Sequence, residues 1–323
     1  MICRNVRRPI AVAAALGILL STGAPATAFG QLAGSTDGLA DASPDVDHRL
    51  QEKLEKLVKG FPGEVGLYVR HLVTGESASI RSEDHFPTSS MIKVPILLKI
   101  FDLIEQGKLD YHQELTYADS LLFEGESDLL GSFRHGERID LSKVVLLMIT
   151  TSDNTASLWL QQLAGTGTAI NEWLAEHGFE CTRVNSRTWG RQEEWKKYGW
   201  GQTSPREMAE LLVMIRDGEA VSPAASEEMY RALTRIYWND ESLSQIPPTV
   251  QAASKQGASS DSRSEVVLVN APHGDYVFSV ITGDQEDTSW GQDNAGFALL
   301  RKVSKLLWNH FEPESDWVPS QKY

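Results

Sequence analysis

Strand-like patterning occurs at two places far apart in this chain, with a long helical stretch between them. Glu64–His71 and Ser77–Arg81 alternate apolar and polar residues and meet at Thr74-Gly75, the signature of a hairpin. Comparable patterns resume only near residue 254 and continue through Glu265–Asn270 and Asp275–Thr282. Residues from about 88 to 235 carry mostly helical patterning. An isolated hairpin is marginal in water and becomes stable only with more strands or a helix against it, so the two groups of strands are expected to meet. The helical stretch is then an insertion that leaves the sheet and re-enters it. Near the two ends, Asp47–Lys59 carries Leu50, Leu54 and Leu57 on one face, and Asp293 or Asn294 caps a last helix running to about His310. The expected fold is mixed α/β (α+β), an antiparallel sheet flanked by terminal helices with an all-α lobe of about 88–235 inserted into it.

The N-terminus carries export signals. Arg4, Arg7 and Arg8 precede an apolar run from Ala11 to Leu20, and Ala26-Thr27-Ala28 has the small-residue spacing of a cleavage site. The run is short of the ~20 residues that span a bilayer, so residues 1–28 read as a cleaved signal rather than an uncleaved anchor. Residues 29–44, rich in Gly, Ser and Asp, read as a disordered linker, and residues 45–323 as the folded domain. Cleavage removes three Arg and no acid, taking the formal charge from −14 to about −17. Such acidity argues against nucleic acid and anionic membrane surfaces as partners. Cleavage also removes Cys3 and leaves Cys181 as a lone thiol. No His/Cys cluster indicates a metal and no cofactor is called for. The expectation is an exported monomer, periplasmic or secreted, without stable membrane insertion.

Three short motifs carry chemistry. Ser90-Met91-Ile92-Lys93 sets a hydroxyl and an amine three residues apart, behind the helix-start signal Pro87-Thr88-Ser89 and ahead of the apolar stripe Val94, Leu97, Leu98 and Phe101. A serine hydroxyl is a weak nucleophile until a base takes its proton, and a lysine held neutral by burial or by a second cation can be that base. Taken alone, the pattern equally describes a helix start with a solvated lysine. Ser152-Asp153-Asn154 joins the helical segments Leu141–Thr151, behind Asp140, and Thr155–Leu163; alone it is an N-cap triplet. Lys255-Gln256-Gly257 opens the second group of strands; alone it is a strand lysine beside a loop glycine.

In this order, 62 and then 103 residues apart, the three motifs resemble the active-site triplet of the class A serine β-lactamases and penicillin-binding proteins, Ser-x-x-Lys, Ser-Asp-Asn and Lys-Thr/Ser-Gly. The resemblance covers about residues 45–312 and implies a cleft between the sheet and the helical lobe. It implies acyl transfer to Ser90 with Lys93 as base or proton shuttle and Lys255 as the second cation. Ser152 passes a proton to the leaving nitrogen, and Asn154 holds Lys93 or the substrate amide. The backbone N–H groups of Ser90 and Ala258 form the oxyanion hole. Gly257 lets substrate approach the strand closely.

Departures from the family pattern qualify this. Its deacylating glutamate falls, in an ungapped match between Thr182-Arg183-Val184-Asn185 and Thr203-Ser204-Pro205, on Thr188, and its loop asparagine on Gln192. Ser186 and Gly201 stand where an arginine and an aspartate usually pair across the loop's neck. Glu193 and Glu194 follow a few residues later, either as substitute bases or as solvated surface. Gln256 replaces the hydroxyl that helps hold the substrate carboxylate, with Arg263 as an alternative partner. Trp189, Trp195, Tyr198 and Trp200 either wall the cleft or anchor the loop. Three functions compete: a β-lactamase-like hydrolase opening β-lactams; a penicillin-binding peptidase, transpeptidase or other acyl hydrolase with slow β-lactam deacylation, acting on cell-wall peptides or another acyl substrate; and a non-catalytic cell-wall or β-lactam-binding module.

Overall fold

The computed structural model of the protein describes residues 45–124 and 128–320; the expected signal and linker lie outside the described residues. The chain enters through helix α1 (His48–Val58), makes the hairpin β1 (Glu64–His71) and β2 (Ser77–Ile80), and leaves the sheet through β3 (Phe86–Pro87). The lobe follows, with α2 (Lys93–Glu105), β4 (Glu114–Thr116), β5 (Arg138–Asp140), α3 (Leu141–Leu146), α4 (Asn154–Leu163) and α5 (Thr166–Glu176). Next come β6 (Arg183–Val184), α6 (Gln192–Tyr198), β7 (Gly201–Thr203), α7 (Pro205–Arg216) and α8 (Pro223–Leu233). The chain returns through β8 (Ala252–Ser259), β9 (Ser262–Val269) and β10 (Tyr276–Gly283), and closes with α9 (Ala295–Phe311).

The two distant groups of strands meet as expected. The sheet runs β2-β1-β10-β9-β8, and every pairing is antiparallel. The central pair, β1 with β10, joins residues about two hundred positions apart, with Val69 opposite Phe278. Strand alternation divides the core in two. Leu67, Val69, Val267, Val269, Phe278 and Val280 face α1 and α9, where Leu50, Leu54, Leu299, Val303 and Leu307 cover them. Val266, Leu268, Val277 and Ile281 point the other way and join the core of the helical lobe. Both faces are therefore covered, which explains why β9 and β10 are buried along their whole length.

Caps and breakers set the helix ends. Asp47 caps α1 through Leu50 N (2.8 Å), and Asn294, rather than Asp293, caps α9 through Gly296 N (3.0 Å). Within the lobe, β4–β5 and β3–β7–β6 are strands of two or three residues, too short to leave a period in the sequence. Cys181 is buried, with its backbone N–H donated to Glu207 Oε1 (2.9 Å).

Candidate active site

Ser90 lies in a 3₁₀ turn, Ser89–Ile92, and Lys93 begins α2. In a 3₁₀ turn residues i and i+3 eclipse, so the hydroxyl and the amine face each other at 3.1 Å. Burial of Met91, Ile92, Val94, Leu97 and Leu98 fixes this turn from behind, and Lys93 is itself fully buried. Ser89, just before Ser90, has φ +44°. A non-glycine residue in that left-handed region stores of order 1–2 kcal/mol and persists only where packing over-determines it.

The Ser152 turn is built by a helix that is forced to stop. After α3 the chain widens into a π-turn, Leu147–Thr151, in which Thr150 Oγ1 and Thr151 Oγ1 donate back to Leu146 O and Leu147 O (2.7 and 2.9 Å). Ser152 then takes φ +63°, and its backbone and side chain both turn toward Lys93. Lys93 Nζ donates to Ser152 O (2.6 Å) and to Asn154 Oδ1 (2.7 Å), and lies 3.0 Å from Ser152 Oγ. Asp153 holds the turn by accepting from Ala156 N (2.7 Å) and Leu130 N (3.0 Å). The capping reading of the triplet is thus true of its middle residue, and the two flanking residues are free to face the amine.

Lys255 comes from β8, at the edge of the sheet. It pairs with Val266, so it shares that residue's face and points at the lobe. Its amine donates to Ser152 Oγ (3.1 Å), Gln256 O (3.0 Å) and Gln256 Oε1 (3.0 Å). Burial, and next the charge of Lys93, hold the Lys255 amine well below the usual lysine range, with Glu265 opposing. Gly257 answers to its own protein: a Cβ there would stand 2.6 Å from Thr88 O and 2.9 Å from Ser90 N. Its missing side chain lets β8 press against the Ser90 turn.

These four groups form one chain of contacts, Ser90 Oγ to Lys93 Nζ to Ser152 Oγ to Lys255 Nζ. Lys93 has four oxygen neighbours, one more than an ammonium has N–H donors. Two of them, a backbone carbonyl and an amide oxygen, can only accept. The two hydroxyls, Ser90 Oγ and Ser152 Oγ, can donate as well as accept. The site can therefore move a proton from one hydroxyl to another through a buried amine.

A profile described as the β-lactamase enzyme family matches residues 49–311. The chain belongs to this family. β-Lactamase VEB-1 of Pseudomonas aeruginosa is 21% identical over 271 residues, spanning 80% of this chain and 89% of that one. β-Lactamase BRO-1 of Moraxella catarrhalis is 24% identical over 80% of this chain and 84% of its own. Among solved structures, a point variant of PBP-A, captured as its acyl-enzyme with penicillin G, superposes with TM-score 0.75 at 27% identity, over 84% of this chain and 98% of that one. The protein is a β-lactamase-like serine hydrolase of the class A type.

As a β-lactamase-family member, the protein closes its loop at 182–203 in its own way. β6 pairs with β7, and Asn185 N and Ser186 N both donate to Trp200 O (2.8 and 3.0 Å). Glu207, in the first turn of α7, accepts from Glu180 N, Cys181 N and Thr182 N (2.6, 2.9 and 2.7 Å). Arg191 reaches across the neck, donating to Asn185 Oδ1 (2.7 Å) and Gln202 Oε1 (2.8 Å). This bridge stands where Ser186 and Gly201 leave out the family's usual ion pair, and the sequence reading missed it. Gly201 is glycine because a Cβ there would stand 2.4 Å from Ile92 Cδ1, behind the Ser90 turn.

Within this loop the water-activating candidates separate. Thr188 is buried, donates its hydroxyl to Ser186 O (2.9 Å), and touches α5 so closely that a Cβ on Gly167 would stand 1.8 Å from its Oγ1. Glu193 is 83% exposed and pairs with Lys196 (2.7 Å), so the structure does not bring it to the site. Glu194 is half-buried on α6, where its carbonyl accepts from Asn185 Nδ2 (3.4 Å). Of the loop aromatics, Trp200 reaches the site, with its ring 5.9 Å from Lys93 Nζ and edge-on to Phe123; Trp189 is 91% exposed.

The structure turns Arg263, expected as an alternative carboxylate partner, away from the site. It lies on β9 opposite Ala258 of β8, alternates away from Lys255, and packs against Gly296 of α9. There its guanidinium donates to the carbonyls of Ser259, Ser262 and Ser289 and lies between the rings of Trp290 and Phe297 (4.6 Å each). A carboxylate bound in the cleft cannot reach it through the sheet. Gln256, opposite Glu265 in the register, is tied to the site through its Oε1, which accepts from Lys255 Nζ (3.0 Å), leaving its Nε2 as the donor.

Proposed function

We propose that Ser90 is the nucleophile of an acyl transfer from β-lactams or related cell-wall amides, and that the acyl group leaves Ser90 slowly. The observation that carries this reading is the buried relay from Ser90 Oγ through Lys93 to Ser152 Oγ and Lys255. Lys93 takes the Ser90 proton as Oγ attacks the carbonyl. The backbone N–H groups of Ser90 and Ala258 hold the oxyanion; Ser90 N lies in the first turn of a helical segment, where N–H groups have no partner within the helix. Ser152 delivers a proton to the departing nitrogen and is resupplied through Lys93. Asn154 orients the Lys93 amine, and Lys255 with Gln256 faces the substrate's anionic end.

Slow release follows from Thr188. A hydroxyl that donates to Ser186 O cannot act as a general base at neutral pH, and such a base is worth roughly 10²–10⁴-fold. Glu194 is the loop carboxylate left to serve. The test is intact mass of the mature protein with excess penicillin over minutes to hours, with Ser90→Ala beside it. A lasting one-to-one adduct, absent in the variant, is expected. Rapid consumption of penicillin without a lasting adduct overturns slow release, and Glu194→Gln then identifies the base. Neither adduct nor consumption overturns the acyl transfer itself.

Export after cleavage behind Ala28 completes the reading. Among the described residues no helix is long and apolar enough to cross a membrane. Cleavage there removes Cys3 with the signal, so the exported chain is expected to begin at Phe29. The mass of the protein recovered outside the cytoplasm decides between that species and an uncleaved chain.

A further inference from the structure

Between α8 and β8, two large rings stand in the open. Tyr237 is 68% exposed and Trp238 50% exposed, and they meet edge to face at 5.1 Å. They are not a loose loop. Tyr237 N donates to Thr150 O (2.9 Å), and Trp238 Nε1 donates to Thr151 O (2.8 Å). Thr150 and Thr151 are the last residues before Ser152, so the pair is fastened to the turn that presents Ser152 Oγ to Lys93 and Lys255. With its one polar atom occupied, the indole offers only ring surface. Two exposed rings in contact make a contiguous apolar patch, and this one hangs from the residues that lead into Ser152.

We propose that Tyr237 and Trp238 form an aromatic wall on the leaving-group side of the Ser90 site, and that the enzyme favours acyl substrates whose departing portion carries an apolar or aromatic face. This rests on the reading above that Ser90 is acylated and Ser152 faces the departing nitrogen. Whatever departs from Ser152 passes the residues pinned beside it. The cation expected on that side, Arg263, is turned through the sheet to α9, so ring contact takes a larger share of recognition there. Aromatic contact is worth about three- to tenfold in affinity.

The test uses two cephalosporins with the same acyl side chain, one with methyl and one with an aromatic substituent at ring carbon 3, and follows acylation of Ser90 by mass. Tyr237→Ala is the clean variant, since Tyr237 anchors through its backbone. It is expected to slow acylation by the aromatic compound about three- to tenfold and to leave the methyl compound within twofold. Trp238→Phe, which keeps a ring and loses the anchor, is expected to retain most of the preference, and Trp238→Ala to lose it. Equal losses for both compounds, or Trp238→Phe behaving as Trp238→Ala, assign the pair a purely structural role and overturn the proposal. A parent enzyme acylated by both compounds without preference sinks the wall alone. A parent acylated by neither sinks the acyl-transfer reading with it.

Discussion

Replacing Ser152 by alanine separates catalysis from stability. The Ser152 hydroxyl lies between two buried amines, 3.0 Å from Lys93 Nζ and 3.1 Å from Lys255 Nζ. Its removal orphans neither amine. Lys93 keeps Ser152 O and Asn154 Oδ1 at 2.6 and 2.7 Å, and Lys255 keeps Gln256 O and Oε1, both at 3.0 Å. A hydrogen bond lost without an unsatisfied partner costs about 1 kcal/mol, so Tm is expected to fall by only about 2–4 °C. Acylation suffers far more if the hydroxyl delivers the proton to the departing nitrogen. General acid catalysis is worth roughly 10²–10⁴-fold, or about 3–5 kcal/mol of barrier. The assay is the second-order rate of acylation by a penicillin and by a p-nitrophenyl ester of the same acyl group, with thermal unfolding alongside. The phenolate departs without a proton, so the ester is expected to lose less than about tenfold while the lactam loses a hundredfold or more. Equal losses on both substrates, or a lactam loss under tenfold, would refute the proton route through Ser152.

Two further perturbations probe the frame around the site. Arg191→Ala removes both side-chain bonds across the loop's neck. Charge-assisted bonds of this kind are worth about 1.5–3 kcal/mol when buried, so a half-exposed pair is expected to cost about 1–2 kcal/mol in total. Amide exchange should quicken over residues 186–199, and unchanged exchange there counts against Arg191 as the clasp. Glu241, beside Arg301 and near Glu265, has its pKa pushed by burial from 4.5 to about 7. A carboxyl raised on folding favours the folded state below its unfolded pKa, and that support is lost as pH rises through about 7. Relative to Glu241→Gln, the parent is therefore expected to lose stability between pH 5 and 8, by at most about 3 kcal/mol. A difference in Tm between the two that stays constant across that range is the contrary result.

What the sequence revealed and what it hid have one physical origin. β1 and β10 must alternate or run apolar because both faces of the sheet are covered, so their limits were legible almost to the residue. Ser90, Lys93, Ser152, Asn154 and Lys255 were legible because their three motifs resemble the family's, and a buried cluster of hydroxyls and amines admits few side chains at each point. The loop's neck obeys no such rule. Any donor reaching any acceptor closes it, and Arg191 does so from a position no spacing singles out. Arg263 was misread for a different reason. Proximity in sequence to Lys255 suggested proximity in space, but across a sheet the parity of a residue decides which side it serves. The hairpin register places Ser264, not Arg263, opposite Gly257, so a single-residue step moved a candidate substrate ligand into the packing beneath α9. Parity is not the whole account, since Gln256, also one step from Lys255, still meets it through its Oε1, and Tyr237 and Trp238 hang from the turn before Ser152 in a segment that no strand or helix pattern could have marked.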